Sequence, residues 1–175
     1  VLIAATGIFA LSLNHPINAD LAMLHYSAWL INERNFVIYR DIFELNFPGP
    51  FLFHSLLGKL IGYDALPLRF VDLALLLALA LANWIILAPL SRPAAAFSLG
   101  LFVMIYLLNG GEYVLERDFL GLVPAALAFA IASRHKTPGL LQLLGSGALS
   151  AVACSMKPNA VVLVPVMAWL LWQHS

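Results

Sequence analysis

The sequence predicts an all-α protein, a multi-pass bundle of transmembrane helices with one long loop outside the cytoplasm. Hydrophobic residues make up 62% of the 175 residues and charged residues only 10%, whereas a soluble domain carries about 25% charged residues. Apolar runs follow one another with short polar turns between them, as in a chain that crosses a bilayer repeatedly. Residues 14–63 break this pattern with polar, turn-forming and charged side chains. Because long loops are usually functional, we expect the chemistry of the protein to lie in or beside this loop.

Six apolar stretches are predicted to be membrane spans. The first is shorter than the roughly 20 residues that a span needs, so we expect it to be incomplete and the chain to be the N-terminal part of a larger membrane protein. Arg69 and Asp72, near the start of the second span, are three positions apart and can pair. Pro124 is tolerable if a neighbouring helix covers the carbonyl group it leaves free, and Gly145, Gly147 and Ala148 allow close contact between helices. The predicted spans, which form a single domain, are residues 1–13, 66–90, 93–111, 119–133, 138–156 and 158–173.

The long loop, residues 14–63, is predicted to carry two short helices that lie at the membrane surface. Asp20 is the expected N-cap of the first helix, which runs to about Asn32. Pro50 suits the first position of the second helix, which runs to Ile61. The apolar face of the first helix is formed by Leu21, Leu24, Ala28 and Ile31.

The charged residues are distributed unevenly between the two faces of the predicted bundle. Alternation of the spans puts loop 14–63, loop 110–118 and Lys157 on one face, and Arg92 and residues 134–136 on the other. Three Lys or Arg residues lie in short loops on the second face and two on the first. This small excess favours the second face as the cytoplasmic one. All nine acidic residues fall on the first face. Since acidic residues contribute little to topology, a site on the outer face is the natural explanation.

Two aspartates are the candidate catalytic residues. Asp20 follows the first predicted span directly, and a capping carboxylate stays ionised, so a structural role and a role as general base are compatible. Asp118 precedes Phe119 at the predicted edge of the bilayer, where polar groups are costly and usually functional. The alternative is that Asp118 and Glu112 only belong to a turn exposed to water. Both aspartates sit at the outer ends of spans, so we expect them to converge on one cavity.

Basic residues on the same face suit a phosphate group. The guanidinium groups of Arg40 and Arg117 can bind phosphate bidentately, and Lys157 adds a point charge. An equally good interpretation of Lys157 is a lysine that extends to the membrane surface. The sequence contains no Gly-rich phosphate loop, Ser/His/Asp order or Cys/His zinc spacing, and its nine basic and nine acidic residues cancel. That balance argues against nucleic acid as a partner.

These elements resemble, in their order and spacing, the polyprenyl-phosphate-sugar-dependent glycosyltransferases of the GT-C superfamily, of the protein O-mannosyltransferase and aminoarabinose-transferase type. Residues 37–50, VIYRDIFELNFPGP, resemble the first external loop of that family, which likewise follows an aspartate in the position of Asp20. Residues 116–118 are similar to its second acidic motif, at the start of a later span, and residues 155–158 to its Lys-Pro stretch. The chain departs from the pattern at Ile38, where many members have proline.

The resemblance implies an enzyme that transfers a hexosyl or pentosyl group, with inversion, from a polyprenyl-phosphate donor to a glycan, lipid or protein acceptor outside the cytoplasm. It implies that Asp20 is the general base and Asp118 a second acid of the site. It also implies an integral protein of the bacterial inner membrane, in contact with membrane lipid, for which no cofactor is certain and a divalent metal stays open. The implied substrate contacts are Arg40, Asp41, Glu44, Glu116, Arg117 and Lys157.

Two other kinds of protein stay open on the sequence alone. One is a membrane transporter or flippase of a lipid-linked or anionic substrate, and the other is a structural membrane subunit. Transporters usually place charges and broken helices near the bilayer midplane, whereas the charges here gather at one interface. A structural subunit leaves the segregation of the acidic residues unexplained, so interfacial chemistry is the favoured interpretation.

Overall fold

The computed structural model describes residues 10, 13, 18–44, 46–133 and 139–173, and the stretches within these ranges are all-α, as predicted. A β-bridge joins Ile38 and Ile42. The predicted span 1–13, apart from residues 10 and 13, and the basic cluster 134–136 lie outside the described residues. The helices from residue 18 onward are α1 (Ala19–Arg34), α2 (Pro48–Ile61), α3 (Ala65–Leu87), α4 (Arg92–Leu108), a 3-10 helix (Gly110–Tyr113), α5 (Arg117–Ala132), α6 (Leu140–Met156), a second 3-10 helix (Pro158–Val162) and α7 (Leu163–Gln173).

One helix in these ranges, α3, is long and apolar enough to cross a membrane by length and composition. It has 23 residues, whereas α4, α6 and the stretch Pro158–Trp172 are apolar but have only 10–17 residues. The structure therefore establishes a bundle of apolar helices, of which α3 reaches the length of a span.

Two of the predicted spans differ from the observed helices for local reasons. Helix α5 begins at Arg117 rather than at residue 119, because Glu116 takes the N-cap position and Asp118 joins the first turn. Residues 158–173 are not one helix but a 3-10 turn followed by α7. Pro158 has no N–H group with which to continue α6, so the chain starts a new turn there.

The predicted N-cap of α1 is wrong. The cap is Asn18, whose side-chain Oδ1 accepts a hydrogen bond from the N–H of Leu21 at 2.6 Å, and Asp20 lies in the first turn. Asparagine and aspartate cap equally well, but Asn18 can also donate, and its Nδ2 reaches the carbonyl oxygen of Glu112 at 2.6 Å. This second bond ties the start of α1 to the segment before α5. The helix ends at Arg34, two residues beyond the prediction, on Asn35 in the left-handed conformation.

Two helices approach each other closely at Gly49, which is not one of the glycines predicted to allow such a contact. Helix α2 begins at Pro48, two residues before the predicted Pro50. A Cβ atom on Gly49 would collide with the backbone of Ser155 at the end of α6, so only glycine lets these two helices approach so closely. The predicted close contact at Gly147 is wrong, because a Cβ atom there would meet nothing described within 4 Å. Gly145 has only an ordinary contact, 3.9 Å from a side-chain atom of α5.

Two apolar clusters hold the helices together, and α5 contributes to both. One joins α1, α2 and α3 to the segment before α5, and the other joins α3, α4 and α5. The predicted apolar face of α1 is confirmed at Leu21, Leu24 and Ala28, which are fully buried, whereas Ile31 is only partly buried. The core members of the clusters are Leu21, Leu57, Leu68, Val114, Leu115 and Leu120 for the first, and Leu76, Leu79, Tyr106, Phe119 and Val123 for the second.

A buried carboxylate, Asp72, connects three segments of the bundle. The predicted pair with Arg69 is confirmed, with 3.4 Å between Arg69 Nη1 and Asp72 Oδ2. Asp72 Oδ1 also accepts hydrogen bonds from the hydroxyl of Tyr106 at 2.5 Å and from the N–H of Leu115 at 3.1 Å. Leu115 has a φ of 49°, which is uncommon for a residue with a branched side chain. The bond to Asp72 therefore holds a turn that the chain would not favour by itself.

Two histidines are buried side by side where α1 packs on α2. The ring centroids of His25 and His54 lie 5.6 Å apart in an edge-to-face arrangement, and His25 also contacts the ring of Tyr63. Their four ring nitrogens make no hydrogen bond of regular geometry among the described groups, although backbone of Gly62 lies near His25 and backbone of Leu115 near His54. Burial, together with the neighbouring imidazole of His25, lowers the pKa of His54 to about 4, and burial also lowers the pKa of His25. Both rings are therefore neutral in the folded protein near pH 7.

Replacing Asp72 with alanine is expected to destabilise the fold severely, because it removes the buried carboxylate that pairs with Arg69 and accepts the N–H of Leu115. Breaking a buried ion pair on one side typically costs about 3–5 kcal/mol. The matched control is Asp64→Ala, since Asp64 is exposed and its side chain makes no capping bond. Thermal unfolding of the purified protein in detergent measures both changes. Equal melting temperatures for the two variants would show that the Asp72 network does not stabilise the bundle.

Acidification is expected to destabilise the fold through His54. Its pKa is lower in the folded protein than its ordinary value of 6.5, so the unfolded chain takes up the proton first, and stability is lost as the pH falls from about 6.5 towards 4. The loss is about 2 kcal/mol by pH 4.5. His54→Phe should remove this part of the pH dependence while keeping an aromatic ring in place. Unfolding free energies of the two proteins that stay parallel between pH 7 and pH 4.5 would contradict the prediction.

Candidate functional site

The predicted residues Arg117, Asp118 and Lys157 line one pocket, of about 300 Å³. Arg117 and Asp118 form the first turn of α5, and Lys157 is the residue on which α6 ends. The pocket therefore lies where the start of one helix meets the end of its neighbour. Its other lining residues are Asn46, Phe47, Met156, Pro158 and Asn159.

Arg117 connects the pocket to α1 and to the long loop. Its Nη2 lies 3.2 Å from Oδ2 of Asp20 in an ion pair, and its Nη1 donates to Oδ1 of Asn46. The side chains of Arg117 and Asp20 are 32% and 47% exposed, so water reaches both ends of the pair. Asp20 thus joins the site through Arg117 and does not itself line the pocket.

Lys157 forms an ion pair with Asp118, which also lines the pocket, between Nζ and Oδ1. The backbone of Lys157 is extended, with φ −144° and ψ 116°, which points the chain away from α6 into the Pro158 turn. Helix α5 packs against Lys157 at Gly121, where an added Cβ atom would be in ordinary contact, 3.5 Å from the Cβ atom of Lys157. Two acids and two bases therefore neutralise one another in pairs around the pocket.

Asp118 also lines a second, largely apolar cavity of about 300 Å³ between α4 and α5. Predicted residue Glu116 lies on this cavity and not on the polar pocket. Asp118 is therefore the residue at which a charged pocket and an apolar cavity meet. The remaining lining residues of the apolar cavity are Phe102, Ile105, Tyr106, Tyr113, Phe119 and Leu122.

Arg40 and Asp41 are not brought to the pocket but pair with each other in the long loop. Arg40 Nη2 lies 2.8 Å from Asp41 Oδ2, and the Arg40 side chain is 70% exposed. Asp41 also accepts the N–H of Val37 at 2.8 Å, which closes a turn. The hydrogen bond from Arg40, followed by that from Val37, holds the pKa of Asp41 below its usual value. In this conformation the two residues shape the loop.

Glu44 is linked to the pocket through a residue that the sequence analysis missed. Asn46 Nδ2 donates to Glu44 Oε1 at 2.8 Å, while its Oδ1 accepts from Arg117. The hydroxyl of Tyr39 donates to the backbone carbonyl of Asn46 at 2.6 Å. Asn46 therefore has a fixed position between the loop and Arg117. Its only sequence signal was a polar residue just before a helix that starts with proline.

The arrangement can bind an anion and supply a base. Arg117 and Lys157 present cationic groups to one small pocket, and each of them holds an aspartate that can accept a proton. No group of three or more His, Cys, Asp or Glu side chains in the described ranges is placed to hold a metal ion. No family model, curated protein or solved structure matches the chain.

Proposed function

We propose that the protein is a membrane glycosyltransferase of the GT-C type, which moves a sugar from a polyprenyl-phosphate donor to an acceptor hydroxyl with inversion. The position of Asp118 is the observation that supports this best. On one side of it lies a pocket with two cationic side chains, and on the other lies an apolar cavity. A polyprenyl-phosphate donor joins a charged phosphate to an apolar isoprenoid chain. Its phosphate would suit the cationic pocket, and its isoprenoid chain would suit the adjoining apolar cavity.

The apolar surface of the bundle supports a multi-pass membrane protein, and we assign the site to the outer face of the inner membrane as part of the proposal. Only 22% of the most apolar window of α3 is buried within the chain, so most of that surface needs an apolar partner. The hydrogen bond between Tyr106 near the end of α4 and Asp72 near the start of α3 makes these helices antiparallel. The loops before α3 and after α4 then share a side, and the pocket lies on it.

The proposed chemistry is a single displacement at the anomeric carbon. The acceptor oxygen attacks that carbon, its new C–O bond forms as the C–O bond to phosphate breaks, and the hydroxyl proton passes to the carboxylate of Asp20. The polyprenyl phosphate leaves with one more negative charge, and Arg117 and Lys157 stabilise it electrostatically. Asp118 holds Lys157 in the pocket. A phosphate leaving group needs this cationic stabilisation more than it needs a strong acid.

The location of the ion pairs favours an enzyme over the transporter that the sequence left open. Arg117, Asp118 and Lys157 lie at helix ends, whereas transporters bind their substrates near the middle of the membrane. The charged pair within α3, Arg69 and Asp72, is buried, so it is shielded from any substrate path.

Asp20→Asn is expected to abolish sugar transfer while leaving the fold intact. The change keeps the shape of a partly exposed side chain that is not the cap of α1, and removal of a general base typically slows a reaction by about 10²- to 10⁴-fold. The assay uses the purified protein with a synthetic polyprenyl-phosphate sugar and candidate acceptors, and follows release of free polyprenyl phosphate. Glu112→Gln is the matched control, because Glu112 is an exposed carboxylate near the start of α1 outside both cavities. Release at the wild-type rate by Asp20→Asn would remove Asp20 from the chemistry.

The proposed topology predicts which positions an impermeant thiol reagent reaches in intact cells. On a Cys154→Ser background, cysteines at Phe43 and Glu112 should be labelled, since both positions are exposed and lie on the pocket side. A cysteine at Leu90, which is 82% exposed in the turn between α3 and α4, should be labelled only after the cells are permeabilised. Labelling of Leu90→Cys in intact cells, or protection of either other site, would contradict the arrangement.

A further inference from the structure

We propose that Arg117 acts as a latch on Asp20: the phosphate of the donor displaces the Asp20 carboxylate from Arg117 and so releases it as a base. This inference rests on the proposed function and adds to it an order of events within the site. It makes Arg117 a positioning residue for Asp20 as well as a phosphate contact.

The latch follows from the partners that Arg117 already has. Its Nη2 is paired with Asp20 at 3.2 Å and its Nη1 donates to Asn46. A guanidinium has five N–H groups, and Asp20 and Asn46 take two of those of Arg117. A bidentate contact to phosphate uses two parallel N–H groups, so a phosphate that approaches Nη1 and Nη2 competes with these two partners.

Asp20 is the partner that leaves. Asn46 is held from two other directions, because its Nδ2 donates to Glu44 and its backbone carbonyl accepts from Tyr39. The Asp20 carboxylate makes no described side-chain contact besides Arg117, and its side chain is 47% exposed. Water can solvate it as soon as it moves. Exposed ion pairs are also weak, so a charge-assisted bidentate contact to phosphate can replace this one.

The exchange frees the Asp20 carboxylate to accept a hydrogen bond from the acceptor. In the ion pair, its Oδ2 atom is occupied by the guanidinium of Arg117. When the phosphate takes that place on Arg117, Oδ2 becomes available to the acceptor hydroxyl. The base is therefore restrained in the empty site and released when a donor is bound.

The test measures ligand binding without sugar transfer. The ligands are farnesyl phosphate, which has an isoprenoid chain, and inorganic phosphate, which has none, each titrated into the purified protein in detergent. Asp20→Asn should tighten phosphate binding by roughly two- to five-fold, the range that corresponds to the loss of an exposed ion pair. Tightening for both ligands assigns the effect to the phosphate alone, and tightening for farnesyl phosphate alone assigns it to a lipid-anchored phosphate.

A double-mutant cycle separates the latch from a general loss of negative charge. Glu112→Gln removes one carboxylate from the same face without touching Arg117 and should leave the affinity nearly unchanged. Asp20→Asn should no longer tighten phosphate binding in an Arg117→Gln background. The same is expected in an Arg117→Lys background, because lysine keeps the positive charge but cannot make the bidentate contact. Equal tightening by Glu112→Gln, or full tightening without Arg117, overturns the latch.

The outcomes also distinguish this inference from the proposed function. If the wild-type protein binds farnesyl phosphate and Asp20→Asn binds it no more tightly, the latch is wrong while the donor assignment stands. If the wild-type protein binds neither ligand, the donor assignment fails and the latch fails with it.

Discussion

The geometry of the site depends on one buried carboxylate, that of Asp72. It accepts hydrogen bonds from Tyr106 of α4 and from the N–H of Leu115, and so joins α3, α4 and the turn before α5. Leu115 is held with a φ of 49°, two residues before Arg117, so this contact sets the direction in which the chain enters α5. Because the guanidinium of Arg117 is the first charged group of that helix, a structural interaction inside the bundle positions a side chain at its surface.

The predictable parts of the fold were those encoded by local spacing. Helical periodicity identified the buried face of α1 and the pairing of Arg69 with Asp72, because both depend on residues three or four positions apart. The long-range partners were not predictable in the same way. Nothing near Asn46 in the sequence indicates that it binds Arg117, and nothing near Asp72 indicates that it binds the N–H of Leu115.

The candidate site was predicted in composition and only partly in arrangement. Charged residues at the ends of apolar runs pointed to Arg117, Asp118 and Lys157, which the fold brings to one pocket. The sequence could not separate them from Arg40, which is of the same chemical type but is paired within its own loop. The choice between Asn18 and Asp20 as the cap of α1 was equally undetermined, because both residue types cap well. It was decided by a second bond to Glu112, far along the chain.

The contact between Asp20 and Arg117 has a consequence for biosynthesis, since the two residues are 97 positions apart. Contacts between residues so distant in sequence form late, because the intervening chain must first be ordered. A ribosome makes α1 well before it has made α5, so Asp20 enters its surroundings while its partner is still being synthesised. The charged cluster is therefore one of the last parts of these helices to assemble, and a chain arrested before α5 would carry the aspartate without any site around it.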